Sequence, residues 1–236
     1  MKKAIIASTS TLHDGKYLEY LFPELEWLFQ NCQKIIFIPF ARPGGLTHDE
    51  YTDKVRTVFQ KMNIEVQGLH EFDNPAKALK DAQGIFTGGG NTFLLVKQLH
   101  DLSLMPVLKK TIESGTPYLG TSAGSNICGV SMQTTNDMPI VYPSSFATMG
   151  IINFNLNPHY LDPDVNSKHM GETRATRIKE FHHLNATPVI GLREGSWLEV
   201  KGDNVVLKGA LTARVFRQNL EPIEVESGTY LEKILN

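Results

Sequence analysis

The sequence contains little cysteine. Its 236 residues include two cysteines, Cys32 and Cys128, and neither belongs to a C-x-x-C pair or to a cluster of cysteine and histidine. This pattern argues against a disulfide framework and against a cysteine-based zinc site. It predicts reduced thiols in a cytoplasmic protein.

Long apolar runs and an excess of basic residues are also missing. No apolar run approaches the ~20 residues needed to span a bilayer, and the stretch at residues 4–7 is shorter than the apolar region of a secretory signal, roughly 7–15 residues. Lys and Arg number 23 against 25 Asp and Glu, a net charge of −2, with no Lys/Arg tract. We therefore expect neither a membrane nor a nucleic acid as a partner.

The sequence has no linker, internal repeat or low-complexity tract, so we expect a single domain over residues 1–236. Short apolar runs, "KAIIAS", "KIIFIPF", "GIFTGGG" and "PYLGTS", alternate with amphipathic stretches at 17–29, 48–62, 91–99 and 104–114. Buried strands that alternate with helices predict a doubly wound α/β fold, a mostly parallel sheet with helices on both faces.

The second half of the chain has a different pattern. A helix is predicted at 172–182, followed by strand-like runs in "PVIGL", "SWLEVKGDNVVLKG" and "ARVFR". Lys201-Gly202-Asp203-Asn204 has the composition of a hairpin turn between two alternating runs. We therefore expect antiparallel strands toward the C-terminus.

Ser122 lies in a setting typical of a nucleophile. The segment Gly120-Thr121-Ser122-Ala123-Gly124 fits G-x-S-x-G, in which small neighbours allow a tight, strained turn from strand to helix and leave the serine hydroxyl exposed. The backbone N–H of Ala123, at the helix N-terminus, could then donate to an oxyanion. The alternative is a serine that only caps a helix beside a tight turn.

A second glycine-rich segment, "FTGGGNTFLL", follows a predicted strand. A dinucleotide-binding loop would need its third glycine at Phe93, and the Gly-Lys-Ser/Thr of a phosphate-binding loop is absent. Loops at the carboxyl ends of parallel strands meet at one edge of the sheet. The loop at 88–90 could therefore supply a second oxyanion donor beside Ser122, or it could be a turn without a chemical role.

A serine nucleophile requires a base, and His159 is the favoured candidate. It follows Pro158 in "NLNPHY", where the proline restricts the backbone at the end of an apolar stretch. His182 and His183 end a charged helix, which favours a position at the surface or near the negative end of the helix dipole. The remaining histidines are His13, His48, His70, His100 and His169.

A carboxylate must hold the other ring nitrogen of a histidine base, and two candidates remain open. Asp137 lies in the polar loop "TTNDMP", and Glu194 lies in "GLREGSW" between two predicted strands. An acid between core strands loses hydration unless a partner accepts its charge, which favours Glu194 as a positioned residue. Either one could instead be a solvated turn carboxylate.

These segments together carry a resemblance. "IPFA", "DEYTDK", "GGGNTF", "SAGSN", "TTNDMPIV", "NPH", "GETR" and "GLREGSW" resemble the peptidase E family of aspartyl dipeptidases in order and over nearly the whole chain. The related cyanophycin-degrading enzymes share the serine turn and are less similar outside it. One departure is Ser125, where closer relatives are expected to have alanine.

The resemblance implies a serine exopeptidase that removes an N-terminal aspartate, chiefly from small Asp-X dipeptides, without a metal or an organic cofactor. It implies Ser122 as nucleophile, His159 as general base, and an oxyanion hole formed by the backbone N–H groups of Gly90 and Ala123. Asp137 and Glu194 both match family positions proposed for the third member of the triad. Glu194 is favoured for orienting the imidazole, and Asp137 would then shape the substrate site.

Such a substrate carries a β-carboxylate and a free amine, so its site needs a cation and an acceptor. An arginine fork suits a carboxylate. Arg174 and Arg177 are candidates for it, and Glu172 is a candidate partner for the amine; the alternative is a solvated helix face.

Other functions remain open on the sequence. An esterase of the α/β-hydrolase type usually places its histidine late in the chain, and no histidine follows His183. A glutamine-amidotransferase-like domain would need cysteine at Ser122. A cyanophycinase-like or other small-substrate serine hydrolase, and a non-enzymatic sensor that uses the same crevice, are the alternatives.

Overall fold

A computed structural model describes residues 1–164, 166, 168 and 170–235. The strands are β1 (Lys3–Ala7), β2 (Lys34–Ile38), β3 (Glu65–Gly68), β4 (Ile85–Thr87), β5 (Tyr118–Thr121), β6 (Asn155–Pro158), β7 (Val189–Leu192), β8 (Ser196–Lys201), β9 (Asn204–Gly209), β10 (Ala213–Phe216) and β11 (Ile223–Val225). The helices are α1 (Phe22–Phe29), α2 (His48–Phe59), α3 (Pro75–Lys80), α4 (Thr92–Asp101), α5 (Met105–Glu113), α6 (Ala123–Asn126), α7 (Arg174–Leu184) and α8 (Glu232–Leu235).

The central sheet has seven strands in the order β3-β2-β4-β5-β1-β8-β9. The first five are parallel, β8 pairs antiparallel with β1, and β9 pairs antiparallel with β8. Apolar residues of β1 and β2 are buried on both sides, as expected where helices cover both faces. The predicted doubly wound α/β fold with antiparallel strands toward the C-terminus is confirmed.

Each face of the sheet has its own apolar core. On one face, Leu25 of α1 and Val55 of α2 belong to a cluster with Ile5 of β1. On the other face, Leu95 of α4 and Leu108 of α5 belong to a second cluster. Among the described residues, no helix combines the length and apolar character that crossing a membrane would need.

Several helix boundaries differ from the predicted ones. Helix α1 begins at Phe22 rather than at residue 17, because Leu18 adopts a left-handed backbone with φ of 58° and Pro23 suits the first turn of a helix. The predicted hairpin is present between β8 and β9, and Gly202 provides the positive φ of 63° in its turn.

A second sheet was not predicted. It has four strands in the order β11-β10-β7-β6, in which β6 and β7 are parallel and the other pairs are antiparallel. The parallel register pairs Pro158 at the end of β6 with Leu192 at the end of β7. The residues that follow these two strand ends therefore lie next to each other.

Candidate active site

Ser122 sits at the turn between β5 and α6 in a strained backbone conformation, with φ of 54° and ψ of −113°. The flanking glycines allow close approach of the backbone. A Cβ at Gly124 would lie 2.1 Å from the Thr87 carbonyl oxygen, and one at Gly120 would lie 2.5 Å from the Gly124 carbonyl oxygen. The Ser122 N–H donates to the Ala7 carbonyl on β1 over 3.2 Å. The G-x-S-x-G spacing is therefore required by packing around a serine turn in which Ser122 is partly buried.

The Ser122 side chain does not cap the helix that follows it. Its Oγ lies 2.9 Å from Nε2 of His159, and Nδ1 of His159 lies 2.5 Å from Oε1 of Glu194. Half of the Glu194 side chain is exposed (50%), as is 38% of the His159 side chain. This is the arrangement of a serine nucleophile, a histidine base and an orienting carboxylate, open to solvent on one side.

The second sheet brings the histidine and the glutamate together. His159 directly follows Pro158, and Glu194 comes two residues after Leu192, the register partner of Pro158. His159 itself has a left-handed φ of 53°, which turns its side chain out of the strand direction toward Ser122. The strand register therefore sets the spacing between base and acid.

Asp137 occupies a different position. Its Oδ2 accepts hydrogen bonds from the Thr92 N–H at 2.7 Å, the Thr92 hydroxyl at 2.6 Å and the Thr135 hydroxyl at 3.1 Å. These contacts place a carboxylate at the N-terminus of α4, where the helix dipole favours negative charge. Asp137 also lines the small pocket that Ser122 and His159 line. The structure thus brings Glu194, and not Asp137, into contact with the imidazole.

The glycine loop at 88–90 lies against the serine turn. A Cβ at Gly89 would lie 2.9 Å from the Ser122 Cβ, and Gly90 has φ of +146° with the Ala41 carbonyl oxygen 2.2 Å from its would-be Cβ. The N–H of Asn91 donates to that same Ala41 carbonyl over 2.7 Å. Among the described residues, the backbone N–H groups of Gly90 and Ala123 have no acceptor. Both remain available to an oxyanion.

Replacing Gly90 with alanine should lower kcat by ~10²-fold or more, the typical loss of an oxyanion donor, because the loop must shift to relieve the contact with Ala41. The measurement is steady-state hydrolysis with a thermal melt of the variant. Gly228→Ala is the matched control, since Gly228 has φ of +91° and no atom within 4 Å of its would-be Cβ. Equal kcat values for the two variants would contradict an oxyanion role for this loop.

The candidate substrate cations lie at the start of α7. Arg174 is partly buried, and among the described residues it forms no ion pair. Burial and the neighbouring Arg177 lower the pKa of the Arg174 guanidinium, while the Asp137 carboxylate acts in the opposite direction. Arg177 is exposed, and its Nε lies 3.8 Å from Oε2 of Glu172, which is also exposed. Of the two arginines, Arg174 is therefore the one whose guanidinium remains free to bind a substrate carboxylate near Asp137.

Other candidate groups lie away from the triad. Asp49, His70 and Glu71 have ligand atoms within 4.8 Å of one another, which makes them the one group among the described residues that could hold a metal ion. His182 is buried, with Nδ1 3.0 Å from the Asn185 carbonyl oxygen, so a surface position is wrong for it, while His183 is exposed. His169 lies outside the described residues.

The fold and the site define a class, an α/β hydrolytic enzyme. Its serine lies in a strained strand-to-helix turn and contacts a histidine, which in turn contacts a glutamate. Residues 4–208 match the model of peptidase family S51. The chain is 44% identical to Peptidase E of Streptomyces coelicolor over 98% of this chain and 94% of that protein. The chain belongs to peptidase family S51.

One further relative and one solved structure are similar to the chain. The chain is 42% identical to a Drosophila melanogaster protein named "Probable alpha-aspartyl dipeptidase", over 92% of this chain and 90% of that one. The crystal structure of a peptidase from an acI-B1 Actinobacterium superposes with a TM-score of 0.74 at 19% identity, covering 97% of this chain and 96% of that one. This second likeness concerns the fold alone.

Proposed function

We propose that this protein is a serine exopeptidase that removes an N-terminal aspartate, chiefly from Asp-X dipeptides. The observation that carries the proposal is the line of contacts from Ser122 Oγ through His159 to Glu194, in a turn where the serine is partly buried. The name of one relative, "Probable alpha-aspartyl dipeptidase", supports the substrate class.

The geometry supports a two-step mechanism. Ser122 Oγ attacks the peptide carbonyl while Nε2 of His159 takes its proton, and Glu194 holds the imidazole by Nδ1–H. The N–H groups of Gly90 and Ala123 stabilise the oxyanion. His159 then gives its proton to the leaving amine, and water hydrolyses the aspartyl-enzyme.

Recognition of the aspartate side chain falls to Arg174 in this proposal. The guanidinium is partly buried, and the field of Asp137 reaches it. A bidentate arginine suits the planar β-carboxylate, and partial burial strengthens the attraction. Arg177 and Glu172 pair with each other at the surface, so their contributions to binding should be smaller.

Replacing Arg174 with glutamine should raise KM for Asp-Leu by about 10- to 100-fold, in the range expected for loss of a charge-assisted hydrogen bond, and should change kcat less. Michaelis–Menten kinetics on Asp-Leu measure this. Lys179→Gln on the same helix is the control, because Lys179 is exposed and lies 4.0 Å from Glu221. An unchanged KM in Arg174→Gln would remove this arginine from the substrate site.

Exopeptidase function is tested by comparing Asp-Leu with N-acetyl-Asp-Leu. Hydrolysis of the first and not the second supports the proposal, whereas equal hydrolysis contradicts the requirement for a free N-terminus. A fluorophosphonate that labels Ser122 distinguishes a serine hydrolase from a sensor that uses the same crevice, because a binding protein has no reason to activate its serine.

We also propose that residues 1–236 act as one domain in the cytoplasm. One apolar cluster contains Ile36 of the central sheet together with Leu156 and Val215 of the second sheet, so the two sheets share a core. Cys32 and Cys128 are both free thiols, which suits a reducing compartment.

A further inference from the structure

Ser8 is a fully buried serine directly after β1, and the sequence pattern did not single it out. Its Oγ accepts a hydrogen bond from the His159 N–H at 2.9 Å and donates one to the Leu192 carbonyl at 2.7 Å. One hydroxyl therefore bridges the backbone of the candidate base and the end of β7, two residues before Glu194.

The end of β1 also bonds to the backbone of the candidate nucleophile, Ser122. The carbonyl of Ala7 accepts from the Ser122 N–H over 3.2 Å, and the next residue, Ser8, accepts from the His159 N–H. Ala7, the last residue of β1, and Ser8, which follows it, thus bond the backbones of the serine and of the histidine that faces it. The distance between Ser122 Oγ and His159 Nε2 depends on both contacts.

The backbone of His159 needs such a support. Its φ of 53° is unfavourable for a residue with a side chain, and such conformations persist where surrounding contacts hold them. The Ser8 hydroxyl is the partner of the His159 N–H among the described residues. Without that hydroxyl, the partly buried His159 N–H would lose its partner, and the Leu192 carbonyl would keep only the hydrogen bond from the Tyr160 N–H.

We infer that Ser8 is a positioning residue whose hydroxyl holds His159 at the distance that both Ser122 and Glu194 require. The inference rests on the triad of the proposed function. It goes beyond the triad because Ser8 is fully buried and its hydroxyl contacts the backbone of His159 rather than a triad side chain.

Ser8→Ala tests the inference. We expect kcat for Asp-Leu to fall by at least ~10-fold, because small misplacements of a catalytic group cost up to ~10² in rate, with KM changed by less than about threefold. Such a kcat-selective loss is expected when an interaction that serves the transition state is removed. Ser8→Thr, which keeps the hydroxyl, should recover most of kcat. A Ser8→Ala variant that is folded and has wild-type kcat overturns the inference.

Ser125→Ala is the matched control. Ser125 is also fully buried, and its Oγ donates to the Ala7 carbonyl at 2.6 Å, one residue from Ser8. Both substitutions delete a buried hydroxyl that bonds near the end of β1, but only Ser8 contacts His159. Ser125→Ala also keeps the hydrogen bond from the Ser122 N–H to the Ala7 carbonyl. We expect Ser125→Ala to keep kcat within about threefold of wild type. An equal fall in both variants assigns the effect to general destabilisation and overturns the positioning role.

A double-mutant cycle with Glu194→Gln separates positioning from stability. If Ser8 acts by holding His159 for Glu194, Ser8→Ala should lower kcat much less in the Glu194→Gln background than in wild type. Full additivity contradicts the inference. If Ser8→Ala does not fold, Ser8→Cys, which keeps a similar shape with a weaker acceptor, takes its place in the same cycle.

Failure of this inference differs from failure of the proposed function. Wild-type hydrolysis of Asp-Leu and labelling of Ser122 by a fluorophosphonate are measured first. A wild type that is active and labelled, with Ser8 variants indistinguishable from it, overturns the role of Ser8 alone. An inactive, unlabelled wild type overturns the triad.

Discussion

Replacing Ser122 with alanine should leave a folded protein that hydrolyses Asp-Leu at least ~10⁴-fold more slowly than wild type, a loss of the size seen when a nucleophilic serine is deleted. The reason is that in the proposed mechanism Oγ forms the bond to the substrate carbonyl, and the hydroxyl that faces His159 at 2.9 Å is the one the base can activate. The measurement is kcat on Asp-Leu with a thermal melt of the variant.

The fold should survive this change for a structural reason. The Ser122 hydroxyl caps no helix, and the positive φ at this position is a strain that serine already bears, so alanine adds none of its own. Labelling by a fluorophosphonate should disappear together with hydrolysis. If a folded Ser122→Ala variant keeps more than a few per cent of wild-type turnover, the nucleophile is another group.

Replacing Glu194 with glutamine should lower kcat by up to ~10⁴-fold, the loss known for an analogous carboxylate, and should change KM for Asp-Leu much less. The carboxylate holds Nδ1 of His159 and stabilises the imidazolium that forms as the reaction proceeds. Glutamine fills the same space without the charge. Steady-state kinetics with Asp-Leu measure both constants, and a thermal melt shows whether the variant is folded.

Kinetics of Asp137→Asn, compared with those of Glu194→Gln, show which of the two carboxylates orients His159. Asp137 accepts its hydrogen bonds from Thr92 and Thr135 and lies in the electrostatic reach of Arg174, away from the imidazole. We therefore expect KM to rise at least as much as kcat falls. If Asp137→Asn abolishes kcat while Glu194→Gln is nearly silent, the assignment of the two carboxylates is reversed.

The serine turn could be predicted from the sequence because its determinants are local. Gly120 and Gly124 flank Ser122 at a strand-to-helix junction, and small residues there are a direct requirement of the packing. The parallel strands β1, β2, β4 and β5 were readable as short buried runs for the same reason. In contrast, β3 and α3 carry weak patterns: β3 alternates exposed or partly exposed residues with buried ones, and α3 has six residues.

The partner of His159 could not be derived from the residues alone. Its contact with Glu194 depends on the register that pairs Pro158 with Leu192 in a second sheet, and the local sequence around either residue contains no sign of that pairing. In the sequence, the expected desolvation of an acid between core strands favours Glu194 and leaves Asp137 open. That reason is wrong, because half of the Glu194 side chain is exposed (50%), although Glu194 does contact the imidazole. Geometry distinguishes the two, since one carboxylate meets the imidazole and the other meets the start of α4.

The contact between Ser8 and His159 was even harder to predict from the sequence. Ser8 and His159 are 151 positions apart in the chain, and a serine after a buried strand is an ordinary feature of a sequence. Two features together indicate a role for Ser8. It is a polar residue that is fully buried, and it lies at the carboxyl edge of the central sheet, where ligands bind in open α/β folds. That burial became visible only with the strand order.

The ratio of kcat/KM for Asp-Leu to that for Asn-Leu tests the central claim most directly. The two substrates have the same shape and differ in the charge of one side-chain group. A site that holds the β-carboxylate with a partly buried arginine should prefer Asp-Leu by at least ~10²-fold. Asn-Leu leaves the charge of that arginine unpaired, which lowers its kcat/KM. Equal values for the two dipeptides, or no hydrolysis of Asp-Leu by an enzyme whose Ser122 reacts with a fluorophosphonate, would contradict an aspartyl dipeptidase.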